Sequence, residues 1–252
     1  MDDRTPDGPL RLNRFLARAG LGSRRGVETL ITTGRVAIDG VVVTALETKI
    51  DPAHDAVTVD GRAVGLPKVW RVYAFHKPLG VVSTLRPQGT QTGLLSFRTH
   101  AGLPPGLVPI GRLDADTSGL LLWTDDGELA QALLRPARAV WKRYEVELAG
   151  RLAPDGVRTV ARGGVELDGR PCLPARIAPL PGPPGHCWAV SLREGRNRQI
   201  RRMFAALGVE VKRLHRTDVG PQRLGRLPPG LFRRLTTLEI TALRALAGLP
   251  PP

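Results

Sequence analysis

The sequence predicts an α+β protein, and three observations support that prediction. Two short helical patterns followed by strand patterns occupy the first 65 residues. The apolar run at 120–123 is bounded by turn residues and has the length of a fully buried strand. The segment 141–148 alternates polar and apolar residues, as a half-buried strand does. A chain of 252 residues with these interleaved patterns can form one large domain or two ordinary ones.

The first elements form a small αα-β module at 10–65. A first helix, ended by Gly20, has an apolar face of Leu12, Phe15, Leu16 and Ala19. Ser23 is the predicted N-cap of a second helix, which places Arg24 and Arg25 in its first turn. Cations there oppose the helix dipole, a poor choice for stability and a good one for holding a phosphate. A hairpin at 36–43 and a strand at 57–59 follow.

The second predicted domain spans 66–245, between a disordered tail at 1–9 and a Pro-rich tail at 246–252. It begins with a strand at 69–75, after which 84–109 lacks periodicity and is predicted to be an ordered loop region. Helices are predicted at 128–134, at 154–161 and around Ile200, Met203 and Phe204, with strands at 165–167 and 187–192. Tyr144 lies on the inward face of the strand at 141–148, where pattern alone makes it a core residue.

The composition indicates a polyanionic partner. Lys and Arg total 37 against 23 acidic residues, so the net charge is +14, and nucleic acid is the natural partner. The segment 193–216 carries eight of these cations and two glutamates. No apolar run is long enough to span a bilayer, and the start of the chain lacks the apolar segment of a signal peptide. Two cysteines fit neither a disulfide framework nor a zinc site, so we expect a reducing cytoplasm.

The familiar cofactor motifs are missing from the sequence. It contains no nucleotide-binding P-loop, no Rossmann glycine fingerprint, no nucleophile elbow and no metal-ligand spacing of His or Cys. We therefore expect neither a cofactor nor a metal, and a carboxylate nucleophile is one option that remains. Asp114 stands in a tight loop just before the buried strand, a rigid support for a reactive side chain. The alternative is that Asp114 only bonds its own backbone in an Asx-type turn.

Two stretches of the chain resemble known families. The first, RLNRFLARAGLGSRR followed by LITTGRVAIDG, resembles the RNA-binding domain named after ribosomal protein S-four, the alpha-L motif. Asn13 stands where Asp is common in that domain, and Asp39 stands where Asn is common. The resemblance covers about residues 10–65 and implies RNA binding through Arg14, Ser23, Arg24 and Arg25.

The second stretch contains HKPLGVVST, GRLDADTSGLLLWTDDGELA, KRYEVELAG and REGRNRQIRRMFAALG, in that order. It resembles the RsuA/RluB family of ribosomal RNA pseudouridine synthases over about residues 68–240. The resemblance implies a catalytic domain on a mixed, mainly antiparallel central sheet flanked by helices. It makes Asp114 the catalytic aspartate and Tyr144 the residue that stacks on the target base. It also pairs Arg201 with the Asp114 carboxylate and puts Ile200 in the apolar base pocket.

The expected reaction isomerises a uridine after flipping it out of the RNA. Whether Asp114 adds to the ribose carbon, adds to the base or takes a 2′ proton stays open. We expect phosphates to be held by basic residues near the site: Arg112, Arg198, Arg202 and Lys212.

The form RNRQIRR together with the amino-terminal module favours the large-subunit members of the family, hence 23S ribosomal RNA or a pre-ribosomal particle, bound by a monomer. A 16S ribosomal RNA enzyme, a non-catalytic ribosome-assembly factor and another nucleobase-modifying enzyme are the alternatives.

Overall fold

The computed structural model describes residues 9–66, 70–86, 91–104 and 106–251. The chain divides into two compact units, one of residues 1–71, 103–108 and 124–127, the other of residues 72–102, 109–123 and 128–252. Most of the tail predicted at 1–9, and the first residue of the strand predicted at 69–75, lie outside the described residues.

The first unit contains the αα-β module. Its elements are β1 (Leu10–Arg11), α1 (Leu12–Arg18), α2 (Glu28–Thr32), β2 (Val36–Ile38), β3 (Val41–Val43), β4 (Lys49–Ile50), β5 (Val57–Val59) and β6 (Arg62–Val64). Four strands form an antiparallel sheet in the order β3-β2-β5-β6, and β1 pairs with β4. The predicted helical face is confirmed, since Leu12, Phe15 and Leu16 are buried in the core of this unit.

The predicted start of the second helix is wrong by four residues. Helix α2 begins at Glu28, after Val27 in the N-cap position, and no side chain caps it. Ser23 instead closes a preceding turn, where its Oγ accepts a hydrogen bond of 3.0 Å from the Gly26 amide. Arg24 and Arg25 therefore lie in that exposed turn, outside the helix. Serine favours both positions because its hydroxyl can satisfy a nearby backbone amide in either.

The second unit is built on a large mixed sheet. Its elements are β7 (Val72–Lys77), α3 (Leu94–His100), β8 (Val108–Pro109), β9 (Ser118–Thr124), α4 (Gly127–Leu134), β10 (Lys142–Leu148), α5 (Pro154–Arg162), β11 (Glu166–Leu167), β12 (Arg170–Pro171), β13 (Arg176–Pro179), β14 (Cys187–Leu192), α6 (Gln199–Ala206), β15 (Val211–Val219), β16 (Gln222–Arg223), β17 (Phe232–Arg234) and α7 (Thr237–Ala247).

Seven strands of this sheet follow the order β13-β14-β10-β15-β9-β7-β17, and β16 adds to β15. Strands β15 and β9 pair in parallel, whereas β13, β14, β10 and β15 pair in antiparallel fashion along the sheet, as do β7 and β17. The sheet is therefore mixed and mainly antiparallel, as expected. No helix in the described ranges combines the length and apolar character needed to span a bilayer.

Two apolar cores cover the sheet. Residues of α6 and α5 pack on β10, β14 and β15, and they include the fully buried Met203 and Phe204. Residues of α4 and α7 pack on β7 and β9 in the second core. Every residue of β9 is buried, which confirms the strand predicted from the apolar run and extends it at both ends.

Two predicted segments need correction. The region 84–109, predicted to be a loop, contains the helix α3, whose seven residues are too few to display a clear period. The Pro-rich tail predicted from residue 246 is preceded by α7, which continues to Ala247 and ends at Gly248 in the left-handed conformation. This helix begins with a capping box between Thr236 and Glu239.

Gly119 allows β9 and β15 to pair closely. Its φ is +114°, and a Cβ added there would lie 2.2 Å from the carbonyl oxygen of Arg216. Any side chain would separate the two strands, so glycine is required at this position. The pairing therefore fixes the position of the loop 113–117, which precedes β9, relative to β15.

Candidate active site

The loop 113–117, which carries Asp114, is held from three sides by the rest of the second unit. Ser83 Oγ donates a 2.6 Å hydrogen bond to the Leu113 carbonyl and accepts one of 3.1 Å from its amide. The Gly80 amide donates to the Ala115 carbonyl at 2.8 Å. Lys77 Nζ donates to the Thr117 carbonyl at 2.8 Å. The loop backbone is thus fixed by groups that leave the Asp114 carboxylate unused.

Lys77 is a fully buried cation beneath this loop. Its ammonium donates to the carbonyls of Pro78 and Thr117. Burial lowers the pKa of Lys77 to about 8, and the nearby carboxylates of Asp114 and Asp116 act in the opposite direction. Lys77 therefore ties the loop down through its hydrogen bonds and adds positive potential under Asp114.

Asp114 lines a pocket of about 550 Å³. Its side chain is 38% exposed, and its nearest cation is Arg198, at 3.9 Å between Oδ2 and Nη1. The turn is closed by the Thr117 amide donating to the Asp114 backbone carbonyl at 3.0 Å, so an Asx bond through the carboxylate does not form. The carboxylate faces the pocket with a loose ionic contact and is available to a ligand.

The expected ion pair between Arg201 and Asp114 does not form in this structure, where Arg201 pairs with Asp116. Arg201 Nε lies 3.1 Å from Asp116 Oδ2, and its two terminal nitrogens donate to the Asp116 and Val211 carbonyls at 2.7 Å each. Arg198 donates to both oxygens of the same Asp116 carboxylate, at 3.2 and 2.8 Å. The hydrogen bond from Arg198 holds the pKa of Asp116 below its usual range. The carboxylate of Asp116, two residues after Asp114, thus pairs with the guanidinium groups of both Arg198 and Arg201.

Tyr144 and Ile200 line the same pocket as Asp114. Tyr144 is half-buried on β10 and packs against the core beneath α6, so the alternation of this strand is confirmed. Arg216 lies behind the ring, with its Cζ 6.0 Å from the ring centroid and its Nε donating to the Leu120 carbonyl at 2.8 Å. The pocket therefore combines a carboxylate, an aromatic ring and an apolar side chain, which suits a planar base next to a sugar.

Comparison with known proteins decides the family. Residues 71–206 match the model of the RNA pseudouridylate synthase family, and residues 10–57 match that of the S4 domain. An uncharacterized RNA pseudouridine synthase of Mycobacterium tuberculosis is 41% identical over 251 residues, 98% of each chain. The ribosomal large subunit pseudouridine synthase B of Salmonella typhimurium is 36% identical over 249 residues, 96% of this chain and 84% of that protein.

This chain belongs to the RNA pseudouridylate synthase family. A crystal structure of a pseudouridylate synthase agrees with the fold of this synthase, with a TM-score of 0.64 at 29% identity. The match covers 93% of this chain and 99% of that chain. The protein is thus an enzyme that acts on RNA, with an S4 domain before its catalytic domain.

The residues expected to bind RNA fall into separate groups. Arg112 and Arg198 line the Asp114 pocket. Arg202 does not line it and pairs with Asp168, with two hydrogen bonds of 3.0 and 2.6 Å. Lys212 is exposed on β15. The remaining four residues belong to the S4 domain of the synthase. Arg14 is half-buried there, and Ser23, Arg24 and Arg25 are exposed.

Sequence reasoning missed four charged residues of this site: Lys77, Asp116, Lys142 and Arg216. Lys142 lines the pocket on the same face of β10 as Tyr144, and its Nζ donates to the Val140 carbonyl at 3.2 Å. Burial first, and then the charge of Arg216, lower the pKa of Lys142 to about 8. Its spacing of two residues from Tyr144 on a strand was a usable signal, because such residues share a face.

Proposed function

We propose that this synthase converts one uridine of 23S ribosomal RNA to pseudouridine, with Asp114 as the catalytic carboxylate. The bond between C1′ and N1 breaks, the uracil turns, and a bond forms between C1′ and C5. The C5 proton is lost and N1 gains a proton, so the reaction balances without a redox partner or a phosphoryl donor. The observation that supports the proposal is the Asp114 carboxylate, which faces the pocket from a loop that other groups hold in place.

The other pocket residues have matching roles in this proposal. The ring of Tyr144 would stack on the flipped uracil, and Ile200 would cover the apolar part of the base pocket. Flipping costs a few kcal/mol, roughly, and stacking on an aromatic ring can return about 1–3 kcal/mol of it. Contacts of Arg112 and Arg198 with backbone phosphates would supply the rest. Arg201 would act through Asp116, and Arg202 and Lys212 would contact RNA further from the pocket.

The choice of RNA follows the relatives. The 36% identical protein of Salmonella typhimurium is named a large-subunit enzyme, and its match covers almost all of this chain. The S4 domain would grip structured RNA through Arg14, Ser23, Arg24 and Arg25. We propose that the enzyme acts as a cytoplasmic monomer on 23S RNA or on a pre-ribosomal particle. A 16S target is the second candidate.

The decisive experiment on the chemistry replaces Asp114 by Asn. We expect Asp114→Asn to bind a 23S transcript nearly as well as the wild type and to form no pseudouridine, because the amide cannot act as a carboxylate. Asp155→Asn, on the exposed first turn of α5, is a control that removes the same charge far from the loop sequence. Turnover of Asp114→Asn near the wild-type rate would refute the assignment.

The target is identified by mapping pseudouridines in ribosomal RNA from cells with and without the gene. The proposal expects one 23S position to lose its modification and the Asp114→Asn gene to leave it unmodified. Loss of a 16S position instead would establish the second candidate.

A further inference from the structure

Three side chains form a stack where three neighbouring strands meet one end of the sheet. Trp141 precedes the first residue of β10, Arg193 follows the last residue of β14, and Arg176 begins β13. The guanidinium carbon of Arg176 lies 4.3 Å from the centroid of the Trp141 ring, and that of Arg193 lies 5.6 Å from it. The register explains the stack, since Lys142 pairs with Leu192 and Arg176 pairs with Ser191.

This stack brings two guanidinium groups together without an ion-pair partner among the described residues. Among the residues that the structure describes, no Asp or Glu oxygen lies within 4.0 Å of Arg176 or Arg193. The Nε of Arg193 is also buried without a hydrogen-bond partner. Arg202 on α6, in contrast, donates two hydrogen bonds to the carboxylate of Asp168.

Two guanidinium groups against one indole repel each other. The attraction of each group to the ring is of the same order as that repulsion. An anion that contacts both groups would remove the repulsion and satisfy their free N–H donors. A phosphodiester suits this geometry, because guanidinium groups hold phosphate oxygens through paired hydrogen bonds.

The stack is continuous with the Asp114 pocket. Arg193 lines that pocket, and Lys142, the residue after Trp141, lines it as well. A strand of RNA that places a uridine in the pocket therefore passes close to the stack with its neighbouring phosphates.

We propose that Arg176, Trp141 and Arg193 form a second RNA subsite, which binds a phosphodiester group flanking the target uridine. The subsite rests on the proposed function only in that the RNA must enter the Asp114 pocket. The indole holds the two guanidinium planes in position, and the arginines supply the charge. The subsite contributes to binding of the RNA and makes no contact with the reacting atoms.

The test measures binding of a 23S transcript at several salt concentrations by Asp114→Asn protein, with and without the substitutions Arg176→Gln and Arg193→Gln. Each substitution removes about one phosphate contact, so the slope of log K against log salt should fall by about 1. The dissociation constant should rise about fivefold to tenfold per arginine at 0.1 M salt. Arg158→Gln, which removes an equal charge from the exposed face of α5, should leave the slope unchanged and change the dissociation constant by less than twofold.

Arg176→Gln is the safer variant because Arg176 is exposed on an edge strand, whereas Arg193 is half-buried. In the active protein, the loss in Arg176→Gln should appear as a higher RNA concentration at half-maximal single-turnover rate. A salt slope and affinity equal to those of Arg158→Gln would overturn the subsite, as would a slower saturated rate with unchanged binding. Because binding is measured without turnover, failure of the subsite is separable from failure of Asp114 as the catalytic residue.

Discussion

Asp116 is expected to keep Asp114 reactive by holding two arginines away from it. Arg198 lies near two carboxylates. It donates two hydrogen bonds to that of Asp116 and stays 3.9 Å from that of Asp114. Arg201 is tied to Asp116 by its side chain and by the Asp116 carbonyl. The substitution Asp116→Asn removes the charge at this point and keeps the shape. Arg198 is then free to close on the Asp114 carboxylate, which already lies 3.9 Å away.

The size of the effect follows from the distances. Two unit charges 4 Å apart attract by about 1 kcal/mol in water and by about 4 kcal/mol at an effective dielectric constant of ~20. Arg198 and Asp114 are 44% and 38% exposed, so solvent screening places their attraction at the lower end. Closing this gap from 3.9 Å to a hydrogen-bonding distance of about 2.8 Å adds about 0.4 kcal/mol in water and about 1.7 kcal/mol at a dielectric constant of ~20, so the resting carboxylate gains about 1 kcal/mol. Since about 1.36 kcal/mol is a factor of ten in rate, Asp116→Asn should lower the rate of isomerisation about fivefold.

The assay is release of tritium from RNA labelled at C5 of uridine, measured in single turnovers at saturating RNA. The matched control is Asp168→Asn, which also removes a carboxylate that chelates an arginine, Arg202, but does not touch Arg198 or Arg201. Affinity for RNA should hold or improve in Asp116→Asn, because a negative charge near the pocket is lost. A rate within twofold of the wild type, or an equal loss in Asp168→Asn, would refute the reasoning.

Two further predictions concern stability. Gly119→Ala should lower the free energy of unfolding by more than about 3 kcal/mol, because its Cβ would meet Arg216 backbone atoms at 2.2 and 2.6 Å. Thermal unfolding measures this, and Gly150→Ala, whose nearest neighbour is 3.9 Å away, should cost under about 1 kcal/mol. The hydrogen bond from Arg233 lowers the pKa of Glu239 to about 2, below its value in the unfolded chain. Its contribution, about 1–2 kcal/mol for a side chain 29% exposed, is therefore complete above pH 4.5 and lost as the pH falls toward 2. The difference in melting temperature between wild type and Glu239→Gln should shrink from pH 6 to pH 3, and a constant difference would contradict the assignment.

The regular elements were predictable because their patterns are local. The apolar run of β9 and the alternation of β10 each identify a buried face without knowledge of any distant residue. The loop at 113–117 and the half-buried position of Tyr144 follow from the same patterns, and the family resemblance added their roles. The predictions failed where a side chain could form equally favourable hydrogen bonds with either of two groups. Ser23 could cap a helix or close a turn, and in the structure it closes a turn just before Val27, which is buried in the core of the first unit.

The partner of Arg201 could not be predicted for the same reason. Arg201 lies 87 and 85 positions after Asp114 and Asp116, which are two residues apart in one loop, so sequence separation cannot choose between them. The choice depends on the direction of each side chain from the loop 113–117. The backbone of that loop is held by Lys77 at the end of β7 and by Gly80 and Ser83 in the segment after β7, all distant in sequence. The same holds for Lys142, whose low pKa requires burial that no local pattern reports.

Arg198 links the backbone strain of the site to its chemistry. It occupies the N-cap of α6 with a φ of 47°, a conformation that costs a non-glycine residue about 1 kcal/mol or more. Asn or Gly would fill this position without that cost, but neither carries a charge that could chelate Asp116 and reach Asp114. The strain is offset by the two hydrogen bonds to Asp116 in the free protein. The left-handed conformation therefore places an arginine where its guanidinium bonds both oxygens of Asp116 and lies 3.9 Å from Asp114.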